Sequence, residues 1–258
     1  MSMLPKDRAP SKASTRKTKQ PPEKKKKPKS DLRKQLVNGG KVGVIERVSL
    51  PEDMITSLRG IMLDIDPGLF RRALVPDKVR NDSERFYKTI VQPWLRRHPV
   101  LSSAEVRATG RGLHVIINLS TPIELETEGQ RQYWSGVVKT LQKLLPTDPD
   151  CPGITALTRA LGSVNSKNGI EVCSLEMGQP VTQDEVLALF DQVRTSPFRT
   201  IAKILFGAEQ ITPCPVCGGE GSRLDALDHV GKCYGGCGKV RLGQLFDVFL
   251  KPRPKQEG

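Results

Sequence analysis

The stretch GIMLDIDP, residues 60–67, decides how this chain is read. Ile61, Met62 and Leu63 form an apolar run of strand character, and Pro67-Gly68 stops it. Asp64 and Asp66 emerge at its carboxyl end, on either side of Ile65. Side chains at i and i+2 of a strand share a face, so the two carboxylates lie next to each other. Such a pair repels itself and is costly to bury unless divalent cations neutralise it. Hard cations such as Mg²⁺ choose oxygen ligands and keep coordination positions open for phosphates. The plain alternative is a pair of acids on an exposed strand end.

Outward from this strand, residues 41–50 (KVGVIERVSL) alternate well enough for another strand, and the folded body is expected to begin near Gln35. Residues 82–98 read as a helix that Pro93 ends or kinks. Residues 104–108 and 113–119 read as the arms of a hairpin, with Thr109-Gly110-Arg111-Gly112 as its turn. A helix over 127–145 places Tyr133, Val137, Val138, Leu141, Leu144 and Leu145 on one face. Residues 169–175 read as a short strand. Thr182 and Glu185 form a capping box that opens a helix, and a further helix runs near 198–206. Strands interleaved with helices and hairpins indicate an α+β or α/β fold.

Of the 258 residues, 41 are Lys or Arg and 28 are Asp or Glu, a formal net charge of +13. The first 34 residues carry +10 of it, together with five prolines and almost no large apolar side chains. Such a segment buries too little surface to offset its ordering entropy, and 1–34 reads as a disordered basic tail. It would attract nucleic acid or any other polyanion non-specifically, or act only as a solubilising tail. No apolar run approaches the ~20 residues that span a bilayer, and no apolar stretch near the N-terminus reads as a secretory signal. Six cysteines are too few for a disulfide scaffold, and the metal-like spacing of four of them favours a reducing compartment.

Two further elements complete a constellation. His114 lies in an apolar strand just after Arg111 and the glycines 110 and 112, which allow a ligand to approach the backbone closely. The segment 147–168 (TDPDCPGITALTRALGSVNSKN) offers Asp148 and Asp150, then Arg159, Asn165 and Lys167. It is either a polar connection or a third carboxylate followed by phosphate-binding groups.

In this order the elements resemble the archaeo-eukaryotic primase superfamily, in particular the primase–polymerases of plasmids and phages. Asp64 and Asp66 match its first motif, Gly112-Leu113-His114 its small-x-His motif, and Asp148 its lone metal-binding aspartate. Asp150 is the alternative third ligand. RALGSVNSK, residues 159–167, resembles the family's R-x-P-G-T-x-N-x-K segment, with Leu161 in place of proline and Ser163 in place of threonine. Gly153 and Ala156 stand where the family often has an acidic residue and an arginine. The resemblance covers roughly residues 40–175. It implies an RRM-like antiparallel sheet, with two Mg²⁺ or Mn²⁺ ions on Asp64, Asp66 and Asp148. It also implies nucleotide contacts from His114 and Gly112, with Arg111, Arg159, Asn165 and Lys167 nearby.

Cys214-x₂-Cys217 and Cys233-x₃-Cys237 have the layout of a zinc ribbon, with glycines directly after the second ligand. Thiolates favour Zn²⁺, and four of them close its coordination sphere, so the metal is structural. His229 is the alternative ligand, and Cys151 and Cys173 read as buried thiols. The stretch 214–250 resembles the zinc ribbons of bacterial and phage primases, with a short helix over 243–250. Lys232, Tyr234, Lys239 and Arg241 either grip single-stranded template or leave the ribbon as a scaffold.

These readings combine into an α+β fold. A basic tail (1–34) precedes a primase–polymerase catalytic domain (35–207), a zinc ribbon (208–250) and a basic end (251–258). The resemblance implies a DNA primase–polymerase acting on single-stranded DNA and nucleoside triphosphates. No Walker A lysine motif is present, which leaves the motor to a partner such as a replicative helicase. The expected setting is the cytoplasm in a bacterial, phage or plasmid context, or the nucleus in a eukaryote. The rival reading is a non-catalytic nucleic-acid-binding replication accessory protein with a zinc ribbon. A transcription-associated ribbon protein would leave residues 60–167 unexplained.

Overall fold

The computed structural model describes residues 51–165 and 167–251, and the basic tail and the strand expected at 41–50 lie outside them. The described residues form an α+β unit with two four-stranded antiparallel sheets. The first sheet contains β1 (Ser57–Ile65), β2 (Glu105–Ala108), β3 (Leu113–Glu124) and β4 (Cys173–Glu176), in the order β1-β3-β2-β4. Alternation fixes its two faces. Ile61, Leu63 and Ile65 stand opposite Ile117, Val115 and Leu113, and all six are buried. Val106 and Ala108 of β2 extend the same apolar face. The other face carries Asp64, His114 and Arg107 in one row across three strands.

Between β1 and β2 come α1 (Asp77–Arg80), α2 (Ser83–Phe86), α3 (Gln92–Leu95) and α4 (Pro99–Ser102). A π-helical turn, Tyr87–Val91, joins α2 to α3, so the expected helix continues through Pro93. The wider turn relieves the clash of a proline ring with the carbonyl four residues earlier. After β3, α5 (Glu128–Leu141) starts at a Thr127–Gln130 capping box and ends sooner than expected, although Leu144 and Leu145 stay buried. Tyr133 is 51% exposed rather than on the inner face. Trp134 is buried instead, and the two rings meet edge to face. The capping box at Thr182 opens α6 (Gln183–Thr195), which packs against α5 and α7 (Pro197–Phe206).

The expected strand over 169–175 forms only from Cys173 onward, because Val172 and Glu171 first pair with residues 162–164. Gly162 N–H donates to the Val172 carbonyl and Val172 N–H to Ser163. Cys173 is exposed, not buried as expected, and Cys151 is half-buried.

The second sheet contains β5 (Gln210–Ile211), β6 (Leu224–Ala226), β7 (Gly231–Cys233) and β8 (Lys239–Val240), followed by α8 (Leu242–Phe246). Cys214, Leu224, Cys233, Val240 and Leu245 belong to the same apolar core as Leu63 and Val115. A Cβ on Gly231 would lie 2.6 Å from Phe198 Cζ of α7, so the backbone needs glycine there.

The helix expected over 243–250 ends at Phe246, and the chain then lies along the segment that follows Asp66. Arg71 N–H donates to the Phe249 carbonyl and Lys251 N–H to Leu69, both at 2.8 Å, around a Phe70–Leu250 bridge. The Phe249 ring packs on Trp94 and Phe206.

Arg80 clamps that same segment from inside. Its guanidinium donates to the carbonyls of Pro67 at 2.7 Å, Gly68 at 3.1 Å, Phe70 at 2.9 Å and Val75 at 3.1 Å. Its side chain is 12% exposed. Removing it leaves part-buried carbonyls without their donor. Arg80→Met is expected to cost about 3 kcal/mol, read as a lower urea midpoint at unchanged m-value, with Arg80→Lys in between. Native stability in Arg80→Met would show that the clamp contributes nothing.

Candidate functional site

β1 and β3 bring Asp64 opposite His114. Asp64 is half-buried and His114 buried. Gly112 fits beneath them because it lacks a side chain: a Cβ there would sit 3.3 Å from the Ile65 carbonyl oxygen and 3.9 Å from Asp64 Oδ1. Asp148 arrives from the connection after α5. Its N–H donates to the Asp64 carbonyl at 2.8 Å, tethering the third expected aspartate to the first.

Asp66 is exposed, and its Oδ1 accepts from Gly68 N–H at 2.6 Å. Asp148 Oδ1 accepts in the same way from Asp150 N–H at 3.0 Å. Asp150 itself is exposed. Among the described residues, the three aspartates do not form a group whose ligand atoms all lie within 4.8 Å.

Cys151 sits beside these acids. Burial and the Asp64 charge push its thiol up to about 11, so it stays protonated at neutral pH. Gln142, inside the structure, donates to the Met62 carbonyl at 3.0 Å and lies 3.2 Å from the Cys151 sulfur.

Thr158, Arg159, Asn165 and Asn168 lie against the hairpin turn and the strand after it. His114 Nδ1 is 3.0 Å from the Thr158 hydroxyl. Arg159 Nη1 donates to the Thr109 carbonyl at 3.1 Å, and the Arg159 carbonyl accepts from Arg107 at 3.0 Å. Asn165 is buried, and its Nδ2 donates to Thr109 O at 2.5 Å. Its Oδ1 accepts from Lys167 N–H at 3.0 Å. Gly110 has φ of 115° and lies against the Asn165 and Asn168 amides, a conformation and a closeness that both favour glycine.

Arg159 and Asn165, expected as phosphate contacts, thus hold the glycine turn. The side chains of Arg111 and Lys167 are exposed, with no ion pair among the described residues. Sequence reasoning missed Thr158 and Arg107. Arg107 had a faint signal, since Glu105 and Arg107 share a strand face. The Arg107 hydrogen bond holds the Glu105 carboxyl below its ordinary range. Thr158 had none, because its partner is set by tertiary contact.

The four cysteines converge, with their sulfurs all within 4.8 Å of one another. Cys217 and Cys233 sulfurs are 3.8 Å apart, as tetrahedral ligands with bonds of about 2.3 Å require. Gly218 and Gly238, directly after Cys217 and Cys237, have φ of 64° and 62° and close the two turns. Backbone N–H groups, Gly219 first and then Gly236, lower the Cys217 thiol to about 6. Burial, then the neighbouring sulfurs, raises Cys237 to about 12. The cluster fits a structural zinc. His229 is exposed and outside it. Tyr234 is 52% exposed, with Arg223 and Lys232 over its ring at 4.7 and 4.9 Å. Among the described residues, no helix is long and apolar enough to cross a membrane.

No family model matches the chain, and no curated protein matches it. Among solved structures, it is similar to the AEP domain of the primase-polymerase of cyanophage S-2L. Sequence identity is 16%, over 54% of this chain and 63% of that one, with a TM-score of 0.36. The match thus spans less than two thirds of that structure.

The cysteine site makes a direct prediction. The purified chain should hold one zinc equivalent, and strong chelation or Cys233→Ser should lower Tm by on the order of 10 °C, because Cys233 belongs to the continuous core. Metal-free protein with unchanged Tm would refute a structural metal.

Proposed function

We propose that this chain is a DNA-templated nucleotidyltransferase of the primase–polymerase kind, making or extending primers on single-stranded DNA. One observation carries the reading: Asp64, His114 and Asp148, distant in sequence, are joined at one end of the β1–β3 pair, and Asp66 follows directly. Carboxylate oxygens are the donors that Mg²⁺ or Mn²⁺ prefer, so Asp64, Asp66 and Asp148 would hold the catalytic ions. Bound there, such ions activate a 3′-hydroxyl and steady a triphosphate.

The chain's own residues prepare the place. Thr158 fixes His114 on the sheet face, Gly112 lets the turn pass close to the Ile65 carbonyl between Asp64 and Asp66, and Asn165 with Arg159 latches the turn. Arg111 and Lys167 are the cations exposed for phosphate. The expected partners are single-stranded DNA, nucleoside triphosphates and a separate replicative helicase, in cytoplasmic replication of a bacterium, phage or plasmid.

The non-catalytic binder has two observations in its favour. Asp66 and Asp148 each use an oxygen on a backbone amide, and the exposed Tyr234 has two cations beside its ring, an aromatic and cationic surface of the kind that single-stranded nucleic acid uses. An incorporation assay on single-stranded DNA with Mg²⁺ or Mn²⁺ separates the two. The native chain should incorporate nucleotides, and Asp64→Ala should lose at least about 100-fold in rate. No incorporation and no extension of a supplied primer, with DNA binding intact, would leave the binder.

A further inference from the structure

The polar row of the first sheet continues past His114. Arg107 stands opposite it on β2, and Glu105 lies two residues away on the same face. Arg107 Nε donates to Glu105 Oε1 at 2.5 Å, and Glu105 Oε2 accepts from Asn118 Nδ2 of β3 at 3.0 Å. The Arg107 and Glu105 side chains are only 18% and 11% exposed. The Arg107 hydrogen bond outweighs burial and keeps the carboxyl below its ordinary range, so the pair is charged at neutral pH. A buried ion pair is a weak stabilising device, since apolar residues of similar volume cover a sheet as well or better. What this pair supplies is direction. With Nε fixed on Glu105, the guanidinium aims Nη1 at the Arg159 carbonyl, 3.0 Å away.

That carbonyl belongs to a stretch with little hold of its own. Residues 156–160 have no regular structure, and among the described residues no backbone–backbone hydrogen bond involves 157–159. Side chains hold the stretch instead. Arg159 Nη1 donates to the Thr109 carbonyl, Arg107 grips the Arg159 carbonyl, and the Thr158 hydroxyl meets His114 Nδ1 at 3.0 Å. We propose that Arg107 is a positioning residue: through the Arg159 peptide it keeps Thr158 against His114, and so sets the orientation of that ring opposite Asp64. The contacts stand without any assignment of activity. That the ring serves an incoming nucleotide rests on the proposed function.

The test reads the His114 ring directly, by ¹⁵N NMR of the full zinc-loaded chain labelled at histidine. It is run without nucleotide or DNA at about pH 8.5, where an ordinary imidazole is neutral. The chain has three histidines, so the His114 resonances are assigned by their loss in His114→Gln. Glu105→Gln/Arg107→Met removes both charges at once and orphans neither. Thr158→Val removes only the hydroxyl that meets the ring. Both variants should shift the Nδ1 resonance in the same direction, with Tm within about 3 °C of native. The three substitutions together should move it no further than Thr158→Val alone, because Arg107 acts through Thr158. An unmoved resonance in either variant, a further shift in the triple variant, or a shift that comes only with a lowered Tm would overturn the proposal. In the incorporation assay both variants should lose about tenfold in rate. The expected shifts in a chain that incorporates nothing would uphold the positioning role while the proposed function fails.

Discussion

The antiparallel pairing of β1 with β3 is the constraint on which the rest of the molecule depends. One face of that pair is wholly apolar, and Ile61, Leu63 and Ile65 meet Ile117, Val115 and Leu113 in register. A slip by one residue would turn Asp64 and His114 into the core and expose the apolar row, so burial enforces the register. The position of Asp64 opposite His114 is therefore secured by hydrophobic packing on the reverse side of the sheet. Fully burying each of these large side chains contributes about 1.5–3 kcal/mol, more than a surface polar contact supplies.

Backbone carbonyls hold several of the polar groups on the other face and beside it. The Asp64 carbonyl receives Asp148, the Thr109 carbonyl receives Arg159 and Asn165, and the Arg159 carbonyl receives Arg107. The segment after Asp66 is gripped twice, by Arg80 from within and by the chain around Leu250 from outside. The cysteine cluster shares its core with the first sheet, so the cysteine module is built into the body that carries the acids. Closing the cluster fixes β7 and β8, and α8 and the Leu250 segment follow from them in the chain.

Much of this was legible in local pattern. The hairpin with its glycine turn, the capping box at Thr182, the helix that became α7 and the four-cysteine spacing all depend on neighbours in sequence, and each formed where expected. The errors have a common cause. Tyr133 and Trp134 both fit an amphipathic pattern, and only the partner surface chose Trp134 for the interior. Residues 169–172 have strand-like composition but pair with their own loop, which leaves Cys173 at an exposed edge. The helix after β8 stops at Phe246 because the aromatic cluster of Trp94 and Phe206 draws Phe249 away from the helical path.

The sequence by itself determined the donor chemistry: carboxylates at a strand end, a histidine after a glycine turn, and thiols at zinc spacing. These follow from residue type and short-range periodicity, which a chain carries before it folds. Tertiary structure alone decided which groups meet. It tied Asp148 to Asp64, brought Asn165 and Arg159 onto the Thr109 carbonyl, and gathered Lys139, Lys143 and Lys251 around one cleft. Those outcomes depend on backbone carbonyls and on close packing between distant segments, which residue identity does not encode locally.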